Sequence, residues 1–223
     1  MFIGHFAVGF ASKRWAPDTS LGILFAAVQG PDLLWPVFLL LGIEQVRIAP
    51  GDTAMTPLEF VHYPWSHSLV MVCVWAVVAA LLARSAPARD ARAATRRALV
   101  VAAGVLSHWC LDAATHRPDL PLLPGGTARA GLDLWRSVPA TVVVESLMYA
   151  VGVAIYLKST RPLDGRGRWL PAALAVLLAA LYAAAILGPP PPSVAAIAWT
   201  SIAGGLLFLA LAAWADRHRV AAL

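Results

Sequence analysis

Cysteine and charge are both scarce in this chain of 223 residues. The two cysteines, Cys73 and Cys110, fall within long apolar stretches. Their number and spacing exclude a disulfide framework and a zinc knuckle, so we expect two small core residues. Charged residues make up 13% of the chain, whereas 60% is apolar and the mean hydropathy is +0.72. These values exclude an ordinary soluble domain and indicate an integral membrane protein.

Six apolar stretches are long enough to cross a hydrocarbon layer of about 30 Å. A lone strand cannot satisfy its backbone in lipid, so each stretch is predicted to be a helix. The first twelve residues are too short to span, and their positive charges follow the apolar run, so a short retained N-terminal helix is predicted rather than a signal peptide. The predicted spans are residues 21–43, 67–83, 98–115, 138–157, 169–187 and 194–215.

The sequence therefore predicts an all-α fold, a polytopic membrane helix bundle with about six transmembrane helices and a short N-terminal helix. We expect one membrane domain over residues 1–223. Within it, residues 1–157 are expected to form a metal-site bundle, and residues 158–223 to add two accessory transmembrane helices.

Basic residues are concentrated on alternate connections between the predicted spans. These connections and the two ends of the chain carry 13 of the 17 Lys and Arg residues, and the remaining four are Arg47, Arg117, Arg129 and Arg136. Cytoplasmic loops of membrane proteins carry such an excess. The pattern predicts a multi-pass membrane protein with both termini in the cytoplasm. The sequence pI near 9.8 is then explained by the basic residues of the cytoplasmic connections. No nucleic-acid partner is expected.

Three ionisable residues, His108, Asp112 and His116, recur every four residues in an otherwise apolar helix. This spacing stacks their side chains on one helix face. Each ionisable group inside a bilayer costs roughly 2.5 to 3.5 kcal/mol. A stripe of three therefore needs a compensating partner, and a metal ion is the most economical one.

Other histidines and carboxylates are predicted to lie at the same depth. At about 1.5 Å per helical residue, His5, Asp32, His67 and Glu145 converge with the stripe between the bilayer centre and the outer surface. Neutral imidazole and carboxylate are ligands of zinc and of manganese or iron. Neighbouring hydroxyl groups can orient such ligands through hydrogen bonds. The hydroxyl residues in question are Ser66, Ser68, Ser107 and Thr115.

Four motifs occur in an order that resembles the YdjM-like family of bacterial inner-membrane metal-dependent hydrolases. The motifs are Gly4-His5, Pro31-Asp32, His62-x4-His67-Ser68-Leu69, and Leu106-Ser107-His108-x3-Asp112-x2-Thr115 followed by Pro121-Leu122-Leu123-Pro124. The resemblance covers about residues 1–125 and implies a metal-dependent hydrolase in the inner membrane.

The order of histidines and carboxylates is also similar to that of the zinc ligands in zinc-dependent phospholipase C and related nucleases. This similarity implies a divalent metal, zinc before manganese or iron, acting in phosphodiester chemistry. The chain departs from that pattern at Thr141, where a histidine is expected, and at Leu34-Trp35, where Asp-His is expected. The ligands implied are His5, Asp32, His67, His108, Asp112 and Glu145.

Catalytic roles follow from metal chemistry. A divalent ion lowers the pKa of a bound water and polarises a phosphoryl or carbonyl oxygen. Asp32 is the predicted bridging ligand or general base. His62 and His116 lie nearer the aqueous rim, and we expect them to orient substrate or supply the leaving-group proton. Glu145 is expected to be a ligand or to accept an imidazole N–H.

Location constrains the substrate and leaves three functional classes open. A cavity in the outer half of the bilayer meets membrane lipids or lipid-linked small molecules, so an amphiphilic ester or phosphoester is predicted, with residues 44–61 as a lid or an inert loop. A proton- or metal-ion-coupled transporter would use the same residue types, but polar groups in the inner half or repeated halves are then expected. A non-catalytic protein with a structural metal site is the third class.

Gly204-Gly205 indicates close helix packing, with a homo-oligomer as one consequence.

Overall fold

The computed structural model describes residues 1–222 and is mostly helical. The helices are α1 (Ile3–Ser12), α2 (Leu21–Val28), α3 (Gly30–Leu40), α4 (Pro64–His67), α5 (Leu69–Ser85), α6 (Ala91–Thr115), α7 (Val138–Ser159), α8 (Gly165–Leu187) and α9 (Val194–Arg217), with a 3-10 turn at Leu134–Arg136. The strands are β1 (Gln45–Ile48), β2 (Leu58–His62), β3 (Leu120–Pro121), β4 (Arg129–Ala130), β5 (Thr160–Pro162) and β6 (Arg219–Ala221). They form three antiparallel pairs, β1 with β2, β3 with β4 and β5 with β6.

Four helices in the described part of the chain are long and apolar enough to cross a membrane, namely α6, α7, α8 and α9. The pair α2 and α3 passes the same test together, but it is bent by 60°. The predicted all-α fold is confirmed, and four or five such helices are consistent with a multi-pass membrane protein. The predicted number of six is not confirmed, because α5 has 17 residues and falls short of the length required.

The connections divide the bundle into two ends. The β1–β2 hairpin, the β3–β4 pair and the turn between α8 and α9 lie at the end that we call the hairpin end. The β5–β6 pair and the turns after α1 and α5 lie at the opposite end, which we call the basic end. The connections of the basic end are those with the excess of Lys and Arg.

Proline explains the bend between α2 and α3. Gln29 separates the two helices, and Pro31 lies in the first turn of α3. Proline has no N–H to donate to the preceding turn, and it disfavours helical conformation in the residue before it. The predicted single span over residues 21–43 is therefore two helices, and Asp32 lies in the first turn of the second one.

The short N-terminal helix α1 is the centre of the main apolar core. Phe6 and Phe10 are 2% and 0% exposed and pack edge to face against Phe25 of α2, with ring centroids 4.9 Å apart in both pairs. Helix α9 contacts both α2 and α3. The last two helices are thus part of the same packed bundle as the first seven.

Gly152 allows α7 to lie directly against α1. A Cβ atom at this position would be 2.3 Å from the carbonyl oxygen of Ala7 and 2.7 Å from its Cα. We expect Gly152→Ala to lower the free energy of unfolding by about 1–3 kcal/mol, as overpacking does. Thermal unfolding in detergent, with Gly165→Ala as control because its Cβ would meet nothing within 4 Å, measures this. Equal melting temperatures of the two variants would contradict the close packing of α1 on α7.

Candidate metal centre

Five of the predicted site residues meet where α1, α3, α4 and α6 come together. They are His5 on α1, Asp32 on α3, His67 on α4, and His108 and Asp112 on α6. Two overlapping sets have ligand atoms that all lie within 4.8 Å of one another. These sets are His5, Asp32 and His108, and His67, His108 and Asp112.

The second set has the shorter distances. His108 Nε2 is 3.3 Å from His67 Nε2 and 3.1 Å from Asp112 Oδ2, and His67 Nε2 is 3.8 Å from the same carboxylate oxygen. Asp32 Oδ1 is 3.4 Å from His67 Nε2 and 3.8 Å from His108 Nε2. Two ligands that are each about 2.0–2.1 Å from one tetrahedral zinc ion lie about 3.3–3.4 Å apart. The observed separations are close to that value.

Close packing of α6 on α2 fixes the orientation of His108. An added Cβ at Gly104 would lie 3.1 Å from the Cβ of Ala27, so α6 approaches α2 closely at this glycine. One turn later, His108 Nδ1 is 2.8 Å from the carbonyl oxygen of Val28. A carbonyl only accepts, so Nδ1 carries the hydrogen and Nε2 of the neutral ring presents a lone pair.

A hydrogen-bonded chain through Ser66 and Glu44 fixes the orientation of His67. Ser66 Oγ donates its one hydrogen to Glu44 Oε2 at 2.6 Å, and it lies 2.7 Å from His67 Nδ1. The hydroxyl must therefore accept from Nδ1–H, which leaves a lone pair on Nε2 of His67. Carboxylates and hydroxyls orient metal-bound imidazoles in this way.

The result is that two Nε2 lone pairs face each other. Both His67 and His108 use Nδ1 as a donor, and their Nε2 atoms are 3.3 Å apart. Two lone pairs at this distance repel unless a positive centre lies between or beside them. Asp112 supplies the matching negative charge, so this donor set fits a divalent cation.

His5 forms the other wall of the centre. Its ring stacks on His108, with centroids 3.9 Å apart and planes 5° apart, and Nε2 lies 3.1 Å from Asp112 Oδ1. The amine of Met1 also donates to Asp112 Oδ1, at 2.8 Å. His5 Nδ1 is buried and has no hydrogen-bond partner among the described residues. The Asp112 carboxylate thus contacts Met1 and His5 through Oδ1 and His108 through Oδ2.

Glu145 lies outside both sets. Its Oε2 accepts hydrogen bonds from the backbone N–H groups of Phe2 and Gly4 at 2.9 and 3.1 Å. These bonds attach the start of α1 to α7. In this structure Glu145 positions the helix that carries His5, and it belongs to neither ligand set.

His116 lies apart from His108 and Asp112, although the four-residue spacing predicts one stripe. Helix α6 ends at Thr115, and His116 adopts an extended conformation with ψ of 147°. Its ring packs on Trp135, with centroids 4.3 Å apart, and Nδ1 is 3.1 Å from Asp119 Oδ1. The side chain is 4% exposed, so the predicted position at an aqueous rim is not where the structure places it.

Asp119 holds this aromatic cluster at the hairpin end. Burial favours its neutral form, but hydrogen bonds with His116, Tyr63 and Arg117 outweigh that effect and hold the pKa of Asp119 below its ordinary value. The charged carboxylate therefore stabilises the connection that follows α6. In this network the imidazole of His116 is bound to Asp119, so it has a structural role and is not free to donate a proton.

His62 was predicted to act at the site but lies outside it, whereas Glu44 was predicted to lie in a lid or loop but supports the site. His62 is exposed at the end of β2 and belongs to neither ligand set. Glu44 was assigned to a lid or an inert loop, yet it is 2% exposed and accepts three hydrogen bonds. Two come from the backbone N–H groups of Trp65 and Ser66, both at 2.8 Å. Glu44 thereby fixes the short helix that carries His67.

Asp32 differs from the other four residues in its access to open space. Its side chain is 41% exposed, whereas those of His5, His67, His108 and Asp112 are 6% exposed or less. Asp32 lines a cavity of about 700 Å³ that extends toward α8 and α9. One side of the centre is therefore open to a ligand.

No family model, no curated protein and no solved structure matches this chain. The resemblance to the YdjM-like family stays a prediction.

Proposed function

We propose that this protein is a membrane-embedded hydrolase that uses a divalent metal, preferably zinc, to cleave an amphiphilic ester or phosphoester. The observation that carries the proposal is the pair of facing Nε2 atoms of His67 and His108, which lie 3.3 Å apart on rings whose Nδ1 atoms face the acceptors Ser66 Oγ and the Val28 carbonyl. A single bound proton would satisfy that pair. The nearby carboxylates of Asp112 and Asp32 favour a divalent ion instead.

His67, His108 and Asp112 would hold the metal, with His5 and Asp32 as further donors from the other set. Nitrogen and carboxylate ligands suit zinc, and manganese or iron are the alternatives. A divalent ion bound there supplies a Lewis acid and a water molecule of lowered pKa. The protein itself supplies buried ligands with fixed orientations from α1, α4 and α6. The side of the centre at Asp32 is open to a ligand.

Asp32 is positioned to act as the general base. Its carboxylate accepts a proton from the attacking water, whose oxygen bonds to the phosphorus or carbonyl carbon of the substrate. The bond to the leaving oxygen then breaks, and that oxygen takes up the proton from Asp32. This cycle needs no donor from His62 or His116, which lie outside the ligand sets. The open face at Asp32 also favours a catalytic site over a closed structural one.

For topology, we propose six spans in the bacterial inner membrane, with α5 as the shortest and with both termini in the cytoplasm. The basic end then faces the cytoplasm, in keeping with the distribution of Lys and Arg. The 17 residues of α5 give a length of about 26 Å, slightly less than the hydrocarbon core. On this topology the metal centre is reached from the outer half of the bilayer.

One observation favours a transporter as the second candidate. The basic end contains a buried ion pair, Lys13 with Asp216, so ionisable groups are present near both ends of the bundle. However, Phe6, Phe10 and Phe25 fill the space along α1 between His5 and Lys13 and are 2% exposed or less. A proton or ion path requires polar groups or water at that position. The apolar barrier favours the hydrolase.

Zinc binding and its dependence on Glu44 test the proposal. Purified wild-type protein is expected to bind zinc stoichiometrically. Glu44→Gln is expected to weaken zinc binding by about 10- to 100-fold, as loss of a hydrogen-bond partner behind a ligand does. Elemental analysis gives the stoichiometry, and competition with a chromophoric chelator gives the affinity.

Glu59→Gln is the matched control, because Glu59 is on the hairpin that begins directly after Glu44 and pairs only with the exposed Arg47 among its described ion-pair contacts. It is expected to bind zinc as the wild type does. Absence of bound metal in the wild type after exposure to zinc, manganese and iron would refute the proposed function. An affinity of Glu44→Gln equal to that of Glu59→Gln would refute the role of the Glu44–Ser66–His67 chain.

A further inference from the structure

A cavity of about 700 Å³ extends from the metal centre between α1, α3, α8 and α9. This volume lies within the range of about 300–1,000 Å³ that is typical of small-molecule sites. Most of its wall is apolar, and the side chains of α8 and α9 that line it include Leu177, Leu181, Leu207 and Phe208. The two helices predicted to be accessory thus form one side of a cavity that reaches Asp32.

The cavity faces the membrane. Leu181 and Leu207 at its rim are 38% and 53% exposed, and both belong to span-forming helices. Gly204 in its wall is ten residues from the start of α9, which corresponds to about 15 Å, or half of the hydrocarbon core. The cavity therefore lies within the bilayer, between its centre and the hairpin end, where lipid chains are the surrounding solvent.

The end of the cavity near the metal centre is polar and incompletely satisfied. Asp32, Gln29 and Trp35 all line it. Gln29 and Trp35 are 8% and 7% exposed, and neither Gln29 Oε1 nor Trp35 Nε1 has a hydrogen-bond partner among the described residues. A buried donor or acceptor without a partner is costly. Both residues line the cavity together with Asp32, so this end of the cavity is polar whereas most of its wall is apolar.

We propose that the cavity binds one acyl chain of a membrane lipid and holds the ester group of that chain beside Asp32. The chain lies along the apolar wall, and the ester group lies at the polar end, which Gln29, Asp32 and Trp35 line. This inference rests on the proposed function and specifies its substrate class, an ester-linked acyl lipid. An ester-linked acyl lipid also explains why the cavity has a long apolar wall and a polar end.

Gly204 keeps the cavity open. A Cβ at this position would have the ring of Phe208 as its nearest contact, at an ordinary distance of 3.6 Å, so a larger side chain is accommodated in the helix. Leucine at 204 would extend into the cavity that Gly204 lines. It would displace about two chain methylenes, which corresponds to a roughly tenfold loss of occupancy.

Photolabelling tests the proposal. The probe is a phosphatidylglycerol with a diazirine on one acyl chain, incorporated in vesicles of phosphatidylethanolamine and phosphatidylglycerol that contain the full-length protein. We expect labelling of the wild type to concentrate on Leu181 and Phe208, and Gly204→Leu to reduce it about tenfold. Ala203→Leu is the matched control, since Ala203 is the exposed neighbour on α9 and does not line the cavity. Zinc affinity is measured on the same preparations.

Labelling spread evenly over lipid-facing residues, with Gly204→Leu equal to Ala203→Leu, overturns the acyl-chain site even when zinc binds normally. Concentrated labelling in a protein that binds no metal overturns the proposed hydrolase instead.

Discussion

Replacing His67 by alanine is expected to weaken zinc binding by more than about 100-fold, because it removes a ligand rather than a partner behind a ligand. The remaining atoms of that set, His108 Nε2 and Asp112 Oδ2, are only two donors. Catalytic zinc sites use three protein ligands, so the variant breaks the closer set and leaves only His5 and Asp32 of the other set to complete it. Competition with a chelator measures the affinity, and circular dichroism verifies that the helices are retained.

His62→Ala is the control for this experiment. The two histidines are five residues apart, yet His62 is exposed on β2 and His67 is buried on α4. His62→Ala is expected to bind zinc with wild-type affinity. If both variants bind zinc equally well, His67 is not a ligand and the proposed centre is wrong. If both lose zinc, His62 takes part in the centre, and its observed position at the end of β2 is contradicted.

Replacing Lys13 by methionine is expected to lower the free energy of unfolding by about 3–5 kcal/mol, as breaking a buried ion pair does. Lys13 Nζ is 2.5 Å from Asp216 Oδ2, and both side chains are 7% exposed. The variant leaves the Asp216 carboxylate with only Tyr156 Oη–H and the Leu21 N–H as described donors. An uncompensated buried charge is the cause of the loss.

Arg47→Met is the matched control, because it breaks an exposed pair with Glu59 in which the Arg47 side chain is 68% exposed. Such pairs contribute about 0–1 kcal/mol. Denaturant unfolding in detergent compares the two variants. The double variant Lys13→Met with Asp216→Leu is expected to recover much of the stability, since it removes both charges. Equal stability of Lys13→Met and Arg47→Met would contradict the buried position of the pair.

The positions of the helices could be predicted because the length of an apolar stretch is a local property of the sequence. Each predicted span has a helix at its place, although α5 is too short to be confirmed as one. The break at Gln29 was missed, since hydropathy alone does not distinguish one span from two short helices. Pro31 was the available signal, because it weakens the hydrogen bonds of the turn before it.

The convergence of His5, Asp32, His67, His108 and Asp112 was predictable from depth, since residues at one level of a bundle can meet. His116 shows the limit of periodicity: the four-residue spacing requires a continuing helix, and α6 ends one residue before it. Glu44 shows another limit. Its partner Ser66 is 22 residues away, so no local pattern relates the two. The cavity depends on the packing of α3, α8 and α9, which spacing along the chain does not specify.

The break between α2 and α3 has a mechanical consequence for the site. Its two sides hold different parts of the centre, since the Val28 carbonyl orients His108 and the first turn of α3 carries Asp32. A change in the 60° angle between the helices therefore moves the Asp32 carboxylate relative to His108. For the metal and the acyl chain proposed above, such a change would link the two binding equilibria, so that each ligand changes the affinity of the other by the same factor.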